Sequence, residues 1–181
     1  MKNRKSSIVN RQSVLSLDPS STAVGWAVMA SATAIVEGGL ITPERQAAPY
    51  IERVFDIVTD LDLLLDSFEP ATILIEIPTG KVHRRKRPYT HGMGLSVYGF
   101  GVGAVWLQCH QWCRRRPSQI IPIFANDWTR GVAKRDRQIA IASMFDHYRI
   151  ADDPGGDAAD AIGMAVWWFR QRNLWNLFAR R

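Results

Sequence analysis

Val14-Leu15-Ser16-Leu17-Asp18-Pro19-Ser20-Ser21 is the stretch whose reading decides the fold. Val14 to Leu17 reads as a buried strand, and Asp18-Pro19-Ser20-Ser21 is a turn signal. Ala23 to Met29 and Thr33 to Ile41 read as two further strands, so the chain opens as a meander. Gly38-Gly39 inside the third predicts a bulge. Ile51, Val54, Phe55, Val58, Leu61, Leu65 and Phe68 then fall at helical spacing. Glu52, Asp56, Asp60, Asp62 and Asp66 on that helix read as its solvated outer face. Thr72 to Ile77 is a short apolar strand, and Leu95 to Arg115 a long helix where Gly99, Gly101, Gly103 and Ala104 permit close packing. Ile120 to Phe124 is a fifth strand; Lys134 to Tyr148 and Asp157 to Phe169 are two more helices. Three strands, helix, strand, helix, strand, helix, helix is an α/β pattern with a mixed sheet.

A length of 181 residues predicts one domain, residues 13–181, preceded by a basic tail, residues 1–12. Met1-Lys2-Asn3-Arg4-Lys5 leads into no apolar h-region, so the tail does not read as a secretion signal. No apolar run is long enough to span a bilayer. Cys109 and Cys113 are four apart on one helix face, with no second pair to complete a zinc site; they read as reduced structural thiols in a cytoplasmic protein. The formal charge is +6, and it is unevenly placed. From Ile77 to Asn126 there is no acid, while Lys81, Arg84, Arg85, Lys86, Arg87, Arg114, Arg115 and Arg116 fall there. That local positive field suits a polyanionic partner.

Against this basic background four acids stand in apolar or small-residue surroundings. Asp18 ends the first strand, Glu76 stands near the end of Ile73-Leu74-Ile75-Glu76-Ile77, and Asp157 and Asp160 open Asp157-Ala158-Ala159-Asp160-Ala161-Ile162. Singly, each has an ordinary reading. Asp18 suits an Asx-turn, and Asp157 complements a helix dipole. Glu76 is harder to dismiss, because acids are disfavoured in a central strand. Asp157 and Asp160, three apart, share a helix face, and Asp160 leads into a buried run. Asp152 and Asp153, before Pro154, read as loop and capping acids. Four clustered carboxylates cannot all ionise without a counter-charge. All-oxygen ligands favour Mg²⁺, with Mn²⁺ as a substitute, and two such ions ~3.5–4 Å apart can clamp a scissile phosphate.

Leu17-Asp18-Pro19-Ser20-Ser21-Thr22-Ala23-Val24-Gly25-Trp26-Ala27-Val28 resembles the first-strand motif of RuvC-type Holliday junction resolvases. Ile73-Leu74-Ile75-Glu76 resembles the family's second acidic strand, and Asp157-Ala158-Ala159-Asp160-Ala161 its C-terminal acidic helix. Pro122 through Gln138, with Trp128, Gly131, Lys134 and Arg135, is similar to its fifth strand and following basic segment. Order and spacing agree over roughly residues 13 to 170. The resemblance implies an RNase H-like fold, a five-stranded mixed sheet flanked by helices. It implies metal ligands at Asp18, Glu76, Asp157 and Asp160, Lys134 and Arg135 near the scissile strand, and a homodimer that cuts two strands of a four-way DNA junction symmetrically. One departure stands out: the family often has an aromatic soon after the second acid, and Glu76-Ile77-Pro78-Thr79-Gly80 has none.

Directly after Gly80 comes the basic loop Lys81-Val82-His83-Arg84-Arg85-Lys86-Arg87-Pro88-Tyr89. Lys81, Arg84, Arg85, Lys86 and Arg87 are candidates for phosphate contacts, and Tyr89 for the missing wedge. Lys134 is also a candidate to stabilise developing phosphate charge. Arg114-Arg115-Arg116 suits either DNA or the end of a helix dipole. His83, His91, His110 and His147 lack metal-ligand spacing. Trp167, Trp168, Trp175 and Phe178 read as core or dimer face. These residues allow three functions: a metal-dependent endonuclease for branched DNA, a related nuclease for structured RNA, and a junction-binding protein without turnover.

Overall fold

The computed structural model describes residues 13–20, 22–77 and 92–178, with the backbone alone at 92–95 and 173–178. Five strands form one mixed sheet in the order β3-β2-β1-β4-β5. β1 (Val14–Pro19), β2 (Val24–Ser31) and β3 (Ala34–Ile41) make the expected antiparallel meander. β4 (Thr72–Ile77) lies parallel to β1, and β5 (Gln119–Phe124) parallel to β4. Pro122 is tolerated in β5 because that strand is an edge.

Strand alternation divides the core. Leu15, Leu17, Ile73 and Ile75 point to one face, where they bury against Ile57, Leu61 and Leu65 of α1 (Tyr50–Phe68) and Val105, Cys109 and Trp112 of α2 (Gly92–Cys113). Val14 and Leu74 point to the other face, against Met164 of α5 (Asp157–Phe178) and Trp128 of α3 (Ala125–Thr129). Ala27 and Met29 face that side too, with Ile141 of α4 (Lys134–Met144). Asp18 and Glu76 are in phase with Val14 and Leu74, so period two alone turns both acids toward α5.

Two small residues let α5 lie close on the sheet. The fully buried Ser16 hydroxyl donates 2.5 Å to the Ala161 carbonyl. Gly25 faces the first turn of α5, and a Cβ there would come within 2.0 Å of the Asp157 carbonyl oxygen. That is backbone against backbone, so no side-chain rotation relieves it.

Several expectations are corrected. The irregularity in the β2–β3 ladder lies between Val28 and Ser31, opposite Glu37 to Ala34, while Gly38 and Gly39 pair in register. Gly39 instead faces the Trp26 indole, whose nitrogen a Cβ would meet at 3.5 Å. α1 buries Val54, Ile57, Leu61 and Leu65 and leaves Ile51 and Phe55 exposed, so its inward face is rotated from the expected one. Its acids are not all free in solvent. Asp62 accepts from Gln108 at 2.6 Å, and Asp66 accepts from Trp112 and Arg116, each at 2.8 Å, which clips α1 to α2. Of Gly99, Gly101 and Gly103 in α2, Gly101 meets a neighbour, the Tyr50 hydroxyl, while Gly99 and Gly103 face open space. α4 stops at Met144 because Phe145 is extended (φ −136°). The short helix α3 and a 3₁₀ turn at Ile150–Asp152 carry no clear signal in the sequence, and α5 runs on to Phe178. Trp167 and Trp168 pack partly buried against the Val14–Leu74–Met164 cluster, as core residues. Cys109 is buried, and both cysteines are free thiols.

Candidate active site

β1 and β4 are paired up to Leu17 and Ile75, and the next residues along are Asp18 and Glu76. Both acids therefore stand at the carboxyl ends of adjacent parallel strands, where α/β sheets place their sites. Asp157 and Asp160 meet them from the first turn of α5. Asp18, Asp157 and Asp160 are 5%, 8% and 3% exposed, a burial that carboxylates bear only when compensated. The start of α5 is fixed by Asp153, itself buried. Its Oδ2 accepts from the Ala159 N–H at 2.9 Å and from the Tyr148 hydroxyl at 2.8 Å. This is the capping role expected of it. Gly156 turns the chain into the helix at φ +74°.

The compensation comes from the first turn of α4. Lys134 Nζ lies 2.6 Å from Asp157 Oδ1, 3.2 Å from Asp160 Oδ2 and 3.8 Å from Asp18 Oδ2. Arg137 grips Asp160 with two donors, Nε to Oδ1 at 2.8 Å and Nη2 to Oδ2 at 2.7 Å. Its Nη1 donates to the Val132 carbonyl at 2.6 Å, which holds the fork in place. On the sheet side, the Trp128 indole N–H donates to Glu76 Oε2 at 2.7 Å. The Arg137 guanidinium lies over the Trp128 ring, 5.0 Å from its centroid.

Charge is nevertheless incompletely balanced. Burial, and then the Glu76 charge, hold the Asp18 carboxyl well above the usual carboxylate range, with Lys134 pulling the other way. Burial also raises Glu76, against the Trp128 hydrogen bond. Burial opposes the Lys134 ammonium, but the Asp157 hydrogen bond and the charges of Asp160, Asp18 and Asp157 outweigh it and raise its pKa. Tyr98 of α2 stands in the same field. Burial first, then Glu76, Asp18 and Asp157, push its phenol up to about 12.

The structure thus brings together Asp18, Glu76, Asp157, Asp160 and Lys134. Arg135 is exposed on α4 and makes no ion pair with the acids among the described residues. Lys81, Arg84, Arg85, Lys86, Arg87 and Tyr89 lie outside the described residues. Arg137, Tyr98 and the Trp128–Glu76 bond are additions that sequence reasoning misses. Arg137 has a signal, since Lys134 and Arg137 are three apart on one helix face and mirror Asp157 and Asp160. Tyr98 has none, because its relation to the acids exists only once α2 is placed.

Metal ions are not the sole counter-charge open to the four acids, because Lys134 and Arg137 already supply two positive charges. Among the described residues no group of three or more acid, histidine or cysteine side chains is arranged to hold a metal ion as it stands. The donor set still fits a hard cation. Four carboxylates from three elements converge, all donors are oxygen, and two of the acids are disfavoured as anions without further positive charge. A cation would share the space around Lys134 Nζ, which sits on three of the four acids.

No protein-family model matches the chain, and no curated protein matches it. Solved structures do. The chain is similar to Thermus thermophilus RuvC in complex with Holliday junction substrate, with a TM-score of 0.66 and 21% identity, over 89% of this chain and 95% of that one. A second T. thermophilus RuvC structure matches with a TM-score of 0.62 and 18% identity, over 89% and 96%. The yeast mitochondrial Holliday junction resolvase matches with a TM-score of 0.55 and 14% identity, over 94% and 84%. The five-stranded mixed sheet with its flanking helices is the α/β fold of these RuvC-type resolvases, as the sequence motifs led one to expect.

Proposed function

We propose that this chain is a metal-dependent endonuclease that hydrolyses phosphodiester bonds in four-way or related branched DNA. One observation carries the reading. Asp18, Glu76, Asp157 and Asp160 converge at the carboxyl end of the sheet in a fold shared with RuvC, one of whose structures holds a Holliday junction substrate. The four acids would hold Mg²⁺, two ions per site, with Mn²⁺ able to substitute. Held there, the ions would supply Lewis acidity for phosphodiester hydrolysis.

The chain's own residues do the rest. Asp18 and Glu76, fixed on strand ends, set the rigid side of the site. Asp157 and Asp160 complete it from α5, whose position Gly25 and Ser16 set. Lys134, 41% exposed at its side chain, bridges the acids and the solvent side from which a phosphate approaches. It holds its proton in that setting, so it acts as a cation toward phosphate charge and not as a base. Arg135 and the basic residues Lys81, Arg84, Arg85, Lys86 and Arg87 would neutralise phosphates along the arms, with Tyr89 against bases. A homodimer would place two sites for paired cuts, because a two-fold junction suits a two-fold enzyme. No described helix is long and apolar enough to cross a membrane. A cytoplasmic enzyme acting on DNA is the reading in keeping with the basic chain.

A substrate panel tests this. Labelled four-way junction, flap, linear duplex and RNA hairpin are each incubated with the protein and Mg²⁺. Paired symmetric nicks on the junction alone are expected of a resolvase. Cuts on the flap as well would mean a relaxed branch nuclease. Preference for the RNA hairpin would move the assignment to RNA processing, and binding without cuts to a junction-binding protein.

A further inference from the structure

Trp128 is a neutral side chain bonded to one of the four acids, and three neighbours fix its place. Its indole N–H donates to Glu76 Oε2 at 2.7 Å. Its ring lies under the Arg137 guanidinium, and Arg137 in turn holds both oxygens of Asp160. From the third side it meets Gly163 of α5, where a Cβ would come within 3.0 Å of the ring. Burial alone does not force such a bond. Trp167 and Trp168 bury their indole nitrogens with no hydrogen-bond partner among the described residues.

We infer that Trp128 is a positioning residue. It orients the Glu76 carboxylate for cation binding and, through Arg137, ties the strand-borne acid to the helix-borne Asp160. Glu76, next to last in β4, carries its carboxylate on a two-carbon stem, so it needs a second contact to hold one orientation. Outer hydrogen bonds to metal-binding carboxylates commonly fix that orientation. The gap left by Gly163 admits the bulky ring, which sets the distance between α3 and α5. The inference rests on the metal-dependent reading above.

The test is Mn²⁺ binding to the metal-free full chain, followed by calorimetry or by the free-ion EPR signal, alongside thermal unfolding in EDTA. Trp128→Phe keeps an aromatic ring in the cluster with Val14, Leu74, Ile123 and Met164 and removes the N–H donor together with part of the indole's bulk. It should weaken Mn²⁺ binding by roughly 10–100-fold while the metal-free Tm stays within a few degrees of wild type. Gly163→Ala pushes the indole from the far side without touching an acid, and it should weaken binding in the same direction. If Trp128→Phe does not fold, Gly163→Ala decides the matter. Wild-type Mn²⁺ affinity in the folded variants, or a lowered Tm with unchanged affinity, would overturn the inference and leave the metal-dependent reading standing. Absence of Mn²⁺ uptake by the wild type would overturn both.

Discussion

Asp18→Asn should stabilise the metal-free protein at neutral pH. Asp18 is 5% exposed, and burial and Glu76 hold its carboxyl above the unfolded range. The folded chain therefore keeps that proton to higher pH than the unfolded chain. Stability is fully present below the unfolded pKa of about 3.9 and is lost as pH rises through the folded value. Above it the buried anion is a standing cost. Removing such an ion from water costs several kcal/mol in effect. Lys134, at 3.8 Å, returns about 1–4 kcal/mol depending on local screening, and Glu76 takes part of that back. The net cost removed by the neutral isostere is about 1–3 kcal/mol. In a chain of 181 residues that is a Tm rise of roughly 2–10 °C. Thermal unfolding in EDTA at pH 7.5 reads the rise directly, and a series down to pH 4 should show it shrink toward zero. A lower Tm for Asp18→Asn at pH 7.5, or a gain that persists at pH 4, would refute these electrostatics of the site.

Three other perturbations have defined outcomes. Lys134→Met keeps the stem but leaves Asp157 and Asp160 without the ammonium; with Lys134 41% exposed, solvent limits the loss to about 1–3 kcal/mol in EDTA, and millimolar Mn²⁺ should restore more stability to the variant than it adds to the wild type in thermal unfolding. Gly25→Ala drives a Cβ into the Asp157 carbonyl at 2.0 Å, so α5 must lift from β2, and urea unfolding should show a loss of about 3 kcal/mol or more. Asp153→Ala removes a 2% exposed side chain, uncaps α5 and takes one hydrogen-bond partner from the half-buried Tyr148 hydroxyl, which should cost about 2 kcal/mol and speed hydrogen exchange in the first turn of α5.

The features legible in the sequence are those that depend on local periodicity. β4 runs from Thr72 to Ile77 as read, and alternation along β1 and β4 is enough to turn Asp18 and Glu76 to one face. Asp157 and Asp160 are legible because three-residue spacing on a helix fixes a shared side. The rest depends on which elements meet. Ile51 and Phe55 suit a buried helix face as well as Val54 and Ile57 do, and only the direction of the sheet decides between them. Gly25 carries no sign in the sequence of the backbone that lies across it. Gly99 and Gly103 look like packing glycines and face open space, while Gly101, between them in sequence, meets Tyr50. Arg137 and Trp128 acquire their partners only when α3 and α4 fold against the strand ends, so the counter-charge assigned wholly to metal ions is partly the protein's own.

Whether the four converging acids form one phosphodiester-cleaving centre is tested most directly by comparing wild type with Glu76→Gln on an end-labelled four-way DNA junction. Mobility shift reads binding, and strand cleavage is read after Mg²⁺ is added. Paired nicks are expected from the wild type, and from Glu76→Gln retained junction binding with no cleavage. Cleavage by Glu76→Gln at the wild-type rate would contradict a centre built on these four carboxylates.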